Sequence, residues 1–528
     1  MGRHCSMKFR VFLGLFASLL KILAVLMLVP GAVAAYYSET GGVIAFALTS
    51  LLTLCSGIAL SKLSRKEEPG LKEGFALVSL GWLGAALFGA LPYLFMGTGL
   101  VDGFFESMSA FTTTGSSILT ESNAQGYWII NSTLAEGSPA HHLELWIRHF
   151  AESSTLLHIS GSADKSYMGL LFWRSFAQWL GGMGIILLFV AILPRLGLAS
   201  RQLYRAEVPG PDKEALTPRI KETAQLLWFV YIILTVAEIA LLRLAGMPLY
   251  DAICNTFSSV ATGGFSPQAL SIMAYNSWII DAIVTLFCFL AGANFVLHYR
   301  MLKSDRKALL KDSEFRFYSL ILLAATVIIV LLGGLEGSLL AKIKLAAFQV
   351  VSVMTTTGFA TADFDQWSAA AKYTLLMLML IGSCAGSTGG AIKVVRIMLI
   401  LKSGYRELIH VLHPKAVIPF KLGGLPVKEE ILRPSNIFVA MYIIIFLLAS
   451  LLLAIICSGD PGMTMETVLS AVATTLGNVG PGYGIIGPMY SFAEIHPAGK
   501  VLLAVCMWIG RLEVMTVLVL LVPEFWKK

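Results

Sequence analysis

Residues 104–115 read FFESMSAFTTTG, and the last four letters return at residues 355–358, after another short apolar run. Related stretches are YDAICNTFSSVATGGFS at 250–266 and METVLSAVATTLGNVGPGYG at 465–484. Each apolar run makes about three helical turns, too few to cross a bilayer, and ends in Thr or Asn with Gly. This pattern predicts a half-helix followed by an extended segment, four times over.

The composition surrounding these stretches is that of an integral membrane protein. Of 528 residues, 56% are hydrophobic and 13% are charged, and the mean hydropathy is +0.76. A soluble domain of this length needs far more polar surface. About ten apolar segments are long enough to cross the hydrocarbon as helices, near residues 11–34, 41–60, 75–97, 168–194, 222–246, 277–298, 316–334, 372–400, 435–457 and 498–522.

The basic residues predict the orientation of these spans. They concentrate in the loops at 195–221, 300–316 and 396–433, whereas residues 247–275 and 458–496 contain no Lys or Arg. Cytoplasmic loops carry the excess of Lys and Arg, so we expect both termini in the cytoplasm. The net charge of +7 therefore reflects topology. A nucleic-acid partner is not expected, because the basic residues are scattered among Leu, Pro and Gly.

The fold class expected is an all-α membrane protein of about ten transmembrane helices. Two N-terminal helices, in residues 1–70, stand outside the repeat. Four units of helix, half-helix, extended segment and helix follow, at 71–200 with a long outer insertion at 118–167, and at 201–305, 306–434 and 435–528. Internal repeats in membrane proteins place a site at the repeat interface, near the middle of the bilayer.

The chemistry of such a site follows from backbone geometry. A half-helix entering from outside directs its C-terminal carbonyls into the membrane, and an extended segment with Gly can turn further carbonyls toward an axis. Four such segments can replace the water shell of a cation. The alternative is that Thr and Gly only allow close helix packing. Four matched occurrences favour the pore.

At these residues the chain resembles the Trk/Ktr/HKT superfamily of potassium transporters, most closely its bacterial TrkH-type membrane subunits. The matching stretches cover nearly the whole chain. They are FFESMSAFTTTG (104–115), QWLGGMGIILLFVAILPRLG (178–197), QLYRAEVPGP (202–211), GSCAGSTGGAIKVVRI (382–397), NVGPG (478–482) and GRLEVMTVLVLLVPEFW (510–526). The resemblance implies four pseudo-symmetric helix–pore-loop–helix units around a central pore, a homodimer, and regulation by a cytosolic nucleotide-binding subunit.

Carried over residue by residue, the resemblance implies a potassium-binding selectivity filter from all four units. Its members would be Thr113, Thr114, Gly115, Thr262, Gly263, Gly264, Thr356, Thr357, Gly358, Asn478, Val479 and Gly480. A register shift of one residue is the alternative in the second unit, and Gly477 is the alternative glycine in the fourth.

A second group of residues predicts a gate. Gly is unfavourable inside a helix by close to 1 kcal/mol, so the repeated glycines of 382–390 predict a non-helical, movable break in the third unit. The resemblance identifies this stretch as an intramembrane gating loop, with Gly382, Gly386, Ser387, Thr388, Gly389 and Gly390 as gating residues. Arg511, inside the last span, is the expected second element of the gate. An Arg inside a span should face water or a partner. The alternative is that Arg511 and Glu513 pair with neighbouring helices or snorkel outward.

Other polar residues have weaker interpretations. Glu106, Asp251 and Glu466 lie near the starts of the half-helices, where they either stabilise the helix N-termini or attract cations. In the insertion 118–167, His141 and His142 could contribute to a metal site, although a solvated loop is the simpler interpretation. Neither a phosphate-binding loop nor a catalytic arrangement is present in the sequence, so neither an enzyme nor a cofactor is expected.

The function expected is potassium uptake across the cytoplasmic (inner) membrane of a prokaryote, with K⁺ as the transported ion. The alternative is a sodium-permeable or sodium-coupled member of the same superfamily. Relatives that pass sodium often carry Ser at the first filter glycine, whereas this chain has Gly115. A carrier for an organic solute would need side-chain hydrogen-bonding groups at the midplane, and these segments offer mainly backbone.

Overall fold

The computed structural model describes residues 7–129, 167–184, 220–414 and 421–526, apart from residues 66, 68–69, 124, 304, 423–424 and 427–428. Within these ranges the chain is mainly helical. Strands are limited to two antiparallel pairs, Glu121–Ser122 with Trp128–Ile129 and Lys421–Leu422 with Leu425–Pro426. Short 3-10 helices lie at Ser271–Tyr275, Phe364–Gln366, Gly484–Ile486 and Phe492–Glu494.

The chain begins with two helical spans outside the repeat. The first is formed by Phe9–Leu26 and Leu28–Tyr36, and the second by Thr40–Lys62. Four sets of helices follow. The first helices of the sets are Leu71–Gly89 with Leu91–Phe95, Ile220–Leu244, Ser313–Leu332 and Glu429–Ile456; the half-helices are Leu100–Phe111, Leu249–Val260, Leu339–Met354 and Met465–Gly477.

The second helices of the second, third and fourth units are interrupted, which the sequence predicted for the third unit only. Met168–Gly182 is the described part of the second helix of the first unit. The others are Trp278–Ala291 with Phe295–Lys303, Ala369–Ile381 with Val394–Leu412, and Pro497–Arg511 with Val514–Leu521. Two short helices, Ala308–Lys311 and Pro523–Trp526, follow the second-unit and fourth-unit pairs. The second-unit and fourth-unit pairs bend by 98° and 113°. The expectation that 277–298 and 498–522 are continuous helices is therefore wrong.

Six helices of the described residues are long and apolar enough to cross a membrane unbroken, or up to eight with each bent pair counted as one span. Their large apolar side chains face outward, as Leu320, Leu323 and Leu331 do in the third unit. The fully buried centre is instead rich in Thr and Ser from the ends of the half-helices. This distribution is expected for a bundle whose outer solvent is lipid and whose centre is polar.

Local sequence determines where the half-helices begin. Ser338 and Thr464 cap two of them by accepting hydrogen bonds from Ala341 N (3.3 Å) and Thr467 N (3.2 Å). Carboxylates occupy the first turn of the other two, at Asp102 and Asp251, where they stabilise the helix N-terminus. Each half-helix is therefore anchored at its outer end, and its C-terminus points to the centre of the molecule.

Candidate functional site: a ring of backbone carbonyls

All four half-helices end with the same backbone hydrogen bonds. At the end of each half-helix one amide donates to the carbonyl three residues earlier, and the next amide donates to the carbonyl five residues earlier. This is the arrangement of a Schellman C-cap. The second bond measures 2.9 Å for Thr114 to Ser109, 2.7 Å for Gly263 to Ser258, 2.8 Å for Thr357 to Ser352 and 2.8 Å for Val479 to Thr474. The four predicted filter segments thus leave their helices in one geometry.

The first residue of each segment has left-handed backbone angles. The φ angles are 52° for Thr113, 55° for Thr262, 61° for Thr356 and 56° for Asn478. A β-branched residue is strained at these angles, and Gly is the usual occupant of such a cap. Strain of this kind persists where the surroundings enforce it, and it clusters at functional sites. Three threonines at this position therefore mark the segments as more than helix ends.

Two residues further on, each segment has a glycine with positive φ: 85° for Gly115, 76° for Gly264, 81° for Gly358 and 112° for Gly480. We call residues 113–115, 262–264, 356–358 and 478–480 the ring segments. Gly264 and Gly480 share the conformation of the other two glycines, whereas Gly477 is the last residue of its half-helix.

The ring segments contact one another in a closed order. A Cβ added to Gly115 would overlap the carbonyl oxygen of Gly263. In the same way, a Cβ added to Gly264 would overlap the carbonyl oxygen of Thr357, and a Cβ added to Gly358 would overlap the carbonyl oxygen of Val479. The order closes at Gly480, where an added Cβ would lie 2.9 Å from the carbonyl oxygen of Thr114. Each glycine therefore packs on a carbonyl of the next unit, and only Gly allows this approach.

All four of these glycines line one cavity of about 70 Å³. Its lining contains Ser and Gln side chains and a single charged group, the guanidinium of Arg174. That charge is balanced, because Arg174 Nε lies 2.7 Å from Glu106 Oε1 and both residues are buried. Within the described residues, uncharged oxygen atoms of the backbone, of hydroxyl groups and of the Gln268 amide are therefore the ones available to a cation in this cavity.

Glu106 does not occupy the position that the sequence suggested. It lies in the middle of the first half-helix, where it also accepts a hydrogen bond of 2.8 Å from Ile118 N. The carboxylate in the first turn is Asp102, which pairs with Lys500 at 2.5 Å. Glu466 is in a first turn, as expected, and pairs with Lys372 at 2.7 Å. Glu106 thus supports the segment after the ring from a buried position. Asp102 and Glu466 each pair with a lysine, which weakens any attraction of cations by these carboxylates.

The predicted loop 382–390 lies directly below the ring segments. The preceding helix ends at Ile381 and the next begins at Val394, so the break extends to residue 393. Gly390 N donates to the Thr356 hydroxyl at 2.8 Å, and the Thr388 hydroxyl lies 3.3 Å from that of Thr262. The strained threonines of the ring therefore use their side chains to hold this loop.

Arg511 connects three units beneath the ring. Its guanidinium donates to the carbonyl oxygens of Thr388 at 2.6 Å, Gly181 at 2.5 Å and Gly182 at 2.8 Å. The alternative in which Arg511 snorkels outward does not describe this structure. Arg511 lies at the break in the second helix of the fourth unit. Its charge therefore faces carbonyl oxygens from the first and third units.

Two further contacts, which sequence reasoning missed, anchor the loop from below. Glu314 accepts hydrogen bonds from Ala385 N (2.7 Å) and Val395 N (3.0 Å), one within the loop and one just past its end. Arg396 pairs with Glu513 at 2.7 Å, which joins the third unit to the fourth. A carboxylate in the first turn of an apolar span was the available signal for Glu314, but its partners are distant in sequence.

His141 and His142 of the insertion lie outside the described residues, as does most of the loop at 195–221. Among the described residues, no cluster of three His, Cys, Asp or Glu side chains could hold a metal ion.

Comparisons with known proteins identify one family. The family model described as "TrkH: Cation transport protein" matches residues 129–528. The chain is 37% identical over 532 residues to the Trk system potassium uptake protein TrkH of Salmonella typhimurium, covering 99% of this chain and 100% of that protein. It is 30% identical to TrkG of Escherichia coli, with 95% of each covered. The crystal structure of the potassium transporter TrkH from Vibrio parahaemolyticus superposes with a TM-score of 0.81, at 34% identity and over 99% of this chain.

Fold and site together define a multi-pass membrane transport protein built around a central ring of carbonyls. Its relatives are named as transporters, not enzymes. The chain belongs to the TrkH family of cation transport proteins.

Proposed function

We propose that this protein takes up potassium across the cytoplasmic membrane, with the ring segments as its selectivity filter. The similar proteins from Salmonella and Vibrio are named for potassium uptake or transport, and no second substrate is needed to explain the site. The twelve filter residues are Thr113, Thr114, Gly115, Thr262, Gly263, Gly264, Thr356, Thr357, Gly358, Asn478, Val479 and Gly480.

One observation carries this proposal: the closed order in which each ring glycine packs on the carbonyl of the next unit. A carbonyl ring can replace the water shell of a dehydrated cation. The C-terminal dipoles of four half-helices add negative potential at the same place. Neither contribution needs a carboxylate in the pathway, and both suit a monovalent cation that gives up its water readily.

The proposed gate consists of residues 382–390 with Arg511. The loop is held against the ring by the hydroxyls of Thr262 and Thr356, and Arg511 holds the loop at Thr388. A fixed positive charge below the filter opposes a passing cation. In this proposal, opening removes the guanidinium from the pathway and releases the loop together with it.

The remaining parts of the proposal concern topology and partners. Both termini lie in the cytoplasm, since the basic loops at 195–221 and 396–434 are then on the inner side. These loops would dock a cytosolic nucleotide-binding regulatory subunit, and the protein would act as a homodimer, as the family resemblance implies. Purification from native membranes under several nucleotides tests the partner, and recovery without any soluble protein would contradict it.

The decisive experiment is cation flux into proteoliposomes that contain the purified protein. Uptake of potassium, rubidium, sodium and lithium is compared at equal concentrations. We expect potassium and rubidium to exceed sodium and lithium. Equal fluxes of sodium and potassium would overturn the proposal and favour the sodium-permeable alternative.

A further inference from the structure

The second ring segment differs from the other three in one residue. Its middle position is Gly263, where the other segments have Thr114, Thr357 and Val479. Two adjacent glycines, Gly263 and Gly264, leave this segment with the greatest backbone freedom of the four. Since a selective ring needs fixed carbonyls, something outside the segment must restrict it.

The side chain of Gln178, from the second helix of the first unit, supplies that restriction. Its Nε2 donates to the carbonyl oxygen of Gly263 at 2.6 Å, and its Oε1 accepts from Phe265 N at 3.1 Å. The two bonds bracket Gly264. They also fix the orientation of the amide, because one partner offers only a carbonyl oxygen and the other only an N–H group. Gln178 is fully buried, so water does not compete for these bonds.

Gln178 and Gly263 are also complementary in size. A Cβ added to Gly263 would lie 2.5 Å from Gln178 Cδ, 2.7 Å from Oε1 and 2.8 Å from Nε2. The amide therefore fills the volume that a side chain on residue 263 would need. A threonine, the residue of the first and third segments, cannot occupy position 263 while Gln178 remains in place.

The next unit shows the opposite solution. Gly182 and Gly292 occupy equivalent positions in their units. A Cβ added to Gly182 would meet the hydroxyl of Tyr231 and the half-helix cap Ala261. A Cβ added to Gly292 would meet the hydroxyl of Tyr318 and the half-helix cap Thr355. Four residues before each glycine stand Gln178 and Cys288.

By this correspondence Cys288 takes the position of Gln178, and Thr357 takes that of Gly263. A long amide is thus matched with glycine, and a short thiol with threonine.

We propose that Gln178 is a positioning residue that determines cation selectivity by fixing the carbonyl of Gly263 and the angles of Gly264. The inference rests on the proposed function of the ring segments as a filter. Four carbonyl oxygens pack against the ring glycines: those of Thr114, Gly263, Thr357 and Val479. Within the described residues, the oxygen of Gly263 is the one among them that accepts a side-chain hydrogen bond. Loss of Gln178 removes both bonds from the most flexible quarter of the ring.

The test uses full-length protein in proteoliposomes and replaces the pair Gln178 and Gly263 by the residues found at Cys288 and Thr357. Gln178→Cys and Gly263→Thr are made singly and together, and the permeability ratio of potassium to sodium is measured. Each single variant should lower the ratio about tenfold, the order expected for loss of a buried hydrogen bond. The double variant copies the pair Cys288 and Thr357 and should recover most of the ratio.

A fourth variant separates positioning from folding. Gln178→Glu keeps the size and the acceptor but removes the donor to Gly263, so it should lower the permeability ratio while the protein purifies at the normal level. Gln349→Glu, on the third half-helix, is the matched control, since Gln349 bonds the Thr361 hydroxyl outside the ring segments; it should keep the ratio of the parent protein.

The outcomes distinguish this inference from the function on which it rests. A parent protein that does not discriminate potassium from sodium overturns the proposed function. A parent that discriminates, together with an unchanged ratio in both Gln178→Cys and Gln178→Glu, overturns the role of Gln178. A double variant that is no more selective than the worse single variant overturns the complementarity of residues 178 and 263.

Discussion

Arg511 and Thr388 belong to different units, yet the guanidinium of Arg511 donates to the carbonyl oxygen of Thr388 at 2.6 Å, directly beneath the ring segments. This contact joins the broken helix of the fourth unit to the loop of the third. Movement of either element therefore requires the bond to break or both to move together. The first two predictions follow from this connection.

Arg511→Ala should raise basal potassium flux without changing the preference among cations. The substitution removes the fixed charge and the three hydrogen bonds to Thr388, Gly181 and Gly182, but it leaves the ring untouched. Flux into proteoliposomes measures the effect. Arg243→Ala is the control, since Arg243 bonds the carbonyl of Met247, far from the loop in sequence. Flux equal to that of the parent in a well-folded Arg511→Ala protein would place the gate elsewhere.

Glu314→Ala should also raise basal flux. The carboxylate accepts hydrogen bonds from the amides of both Ala385 and Val395 through the same oxygen, Oε1. Its loss leaves two buried donors without this acceptor, one within the loop and one just past its end. Glu314→Gln retains an oxygen acceptor and should remain closer to the parent. A Glu314→Ala protein that folds normally and is no leakier than Glu314→Gln would remove this residue from the gate.

Substitutions of the ring glycines should differ in severity. An alanine at Gly115 or Gly358 overlaps a carbonyl oxygen of the next unit, whereas one at Gly480 meets its neighbour at 2.9 Å. Ion selectivity should therefore fall less for Gly480→Ala than for Gly115→Ala or Gly358→Ala. Gly115→Ser should weaken potassium over sodium discrimination more than total transport. Flux ratios of normally expressed variants measure both effects, and selectivity unchanged in Gly115→Ser would exclude Gly115 from the filter.

The buried pair of Arg174 and Glu106 should behave differently from a surface ion pair. Arg174→Met leaves an uncompensated buried carboxylate and should lower the free energy of unfolding by about 3–5 kcal/mol. Glu106→Gln combined with Arg174→Met should recover part of this loss, because no charge then remains. Denaturant unfolding in detergent measures the changes. Lys311→Met removes one partner of the exposed pair with Asp305 and should change the free energy of unfolding little. A similar loss of stability in Arg174→Met and Lys311→Met would contradict the argument.

The ring segments could be located from the sequence because their signal is local and repeated, whereas their role as a filter stays a prediction. Short apolar runs ending in Thr and Gly identified Gly115 and Gly358, and the register in the other two units followed by analogy. The clustered glycines at 382–390 predicted the break in the third unit in the same way.

Features that depend on distant residues were not predictable. The fourth unit breaks at Glu513, a non-glycine residue with a φ of 62°, and nothing in the neighbouring letters indicates it. The partners of Glu314 and Arg174 lie many residues away, so local pattern carries no information about their pairing. The surroundings of Gln178 are equally invisible, because the helix that carries it precedes its target by a loop and an entire span.

The ring closes between Gly480 and Thr114, that is, between the last and the first repeat of one polypeptide. In a channel assembled from four identical subunits, any altered codon would change all four quarters at once. Here a codon changes one quarter and leaves three as they were. The ring can therefore be adjusted in small steps, one quarter at a time, and the second quarter, with Gly263, Gly264 and the amide of Gln178, already differs from the other three.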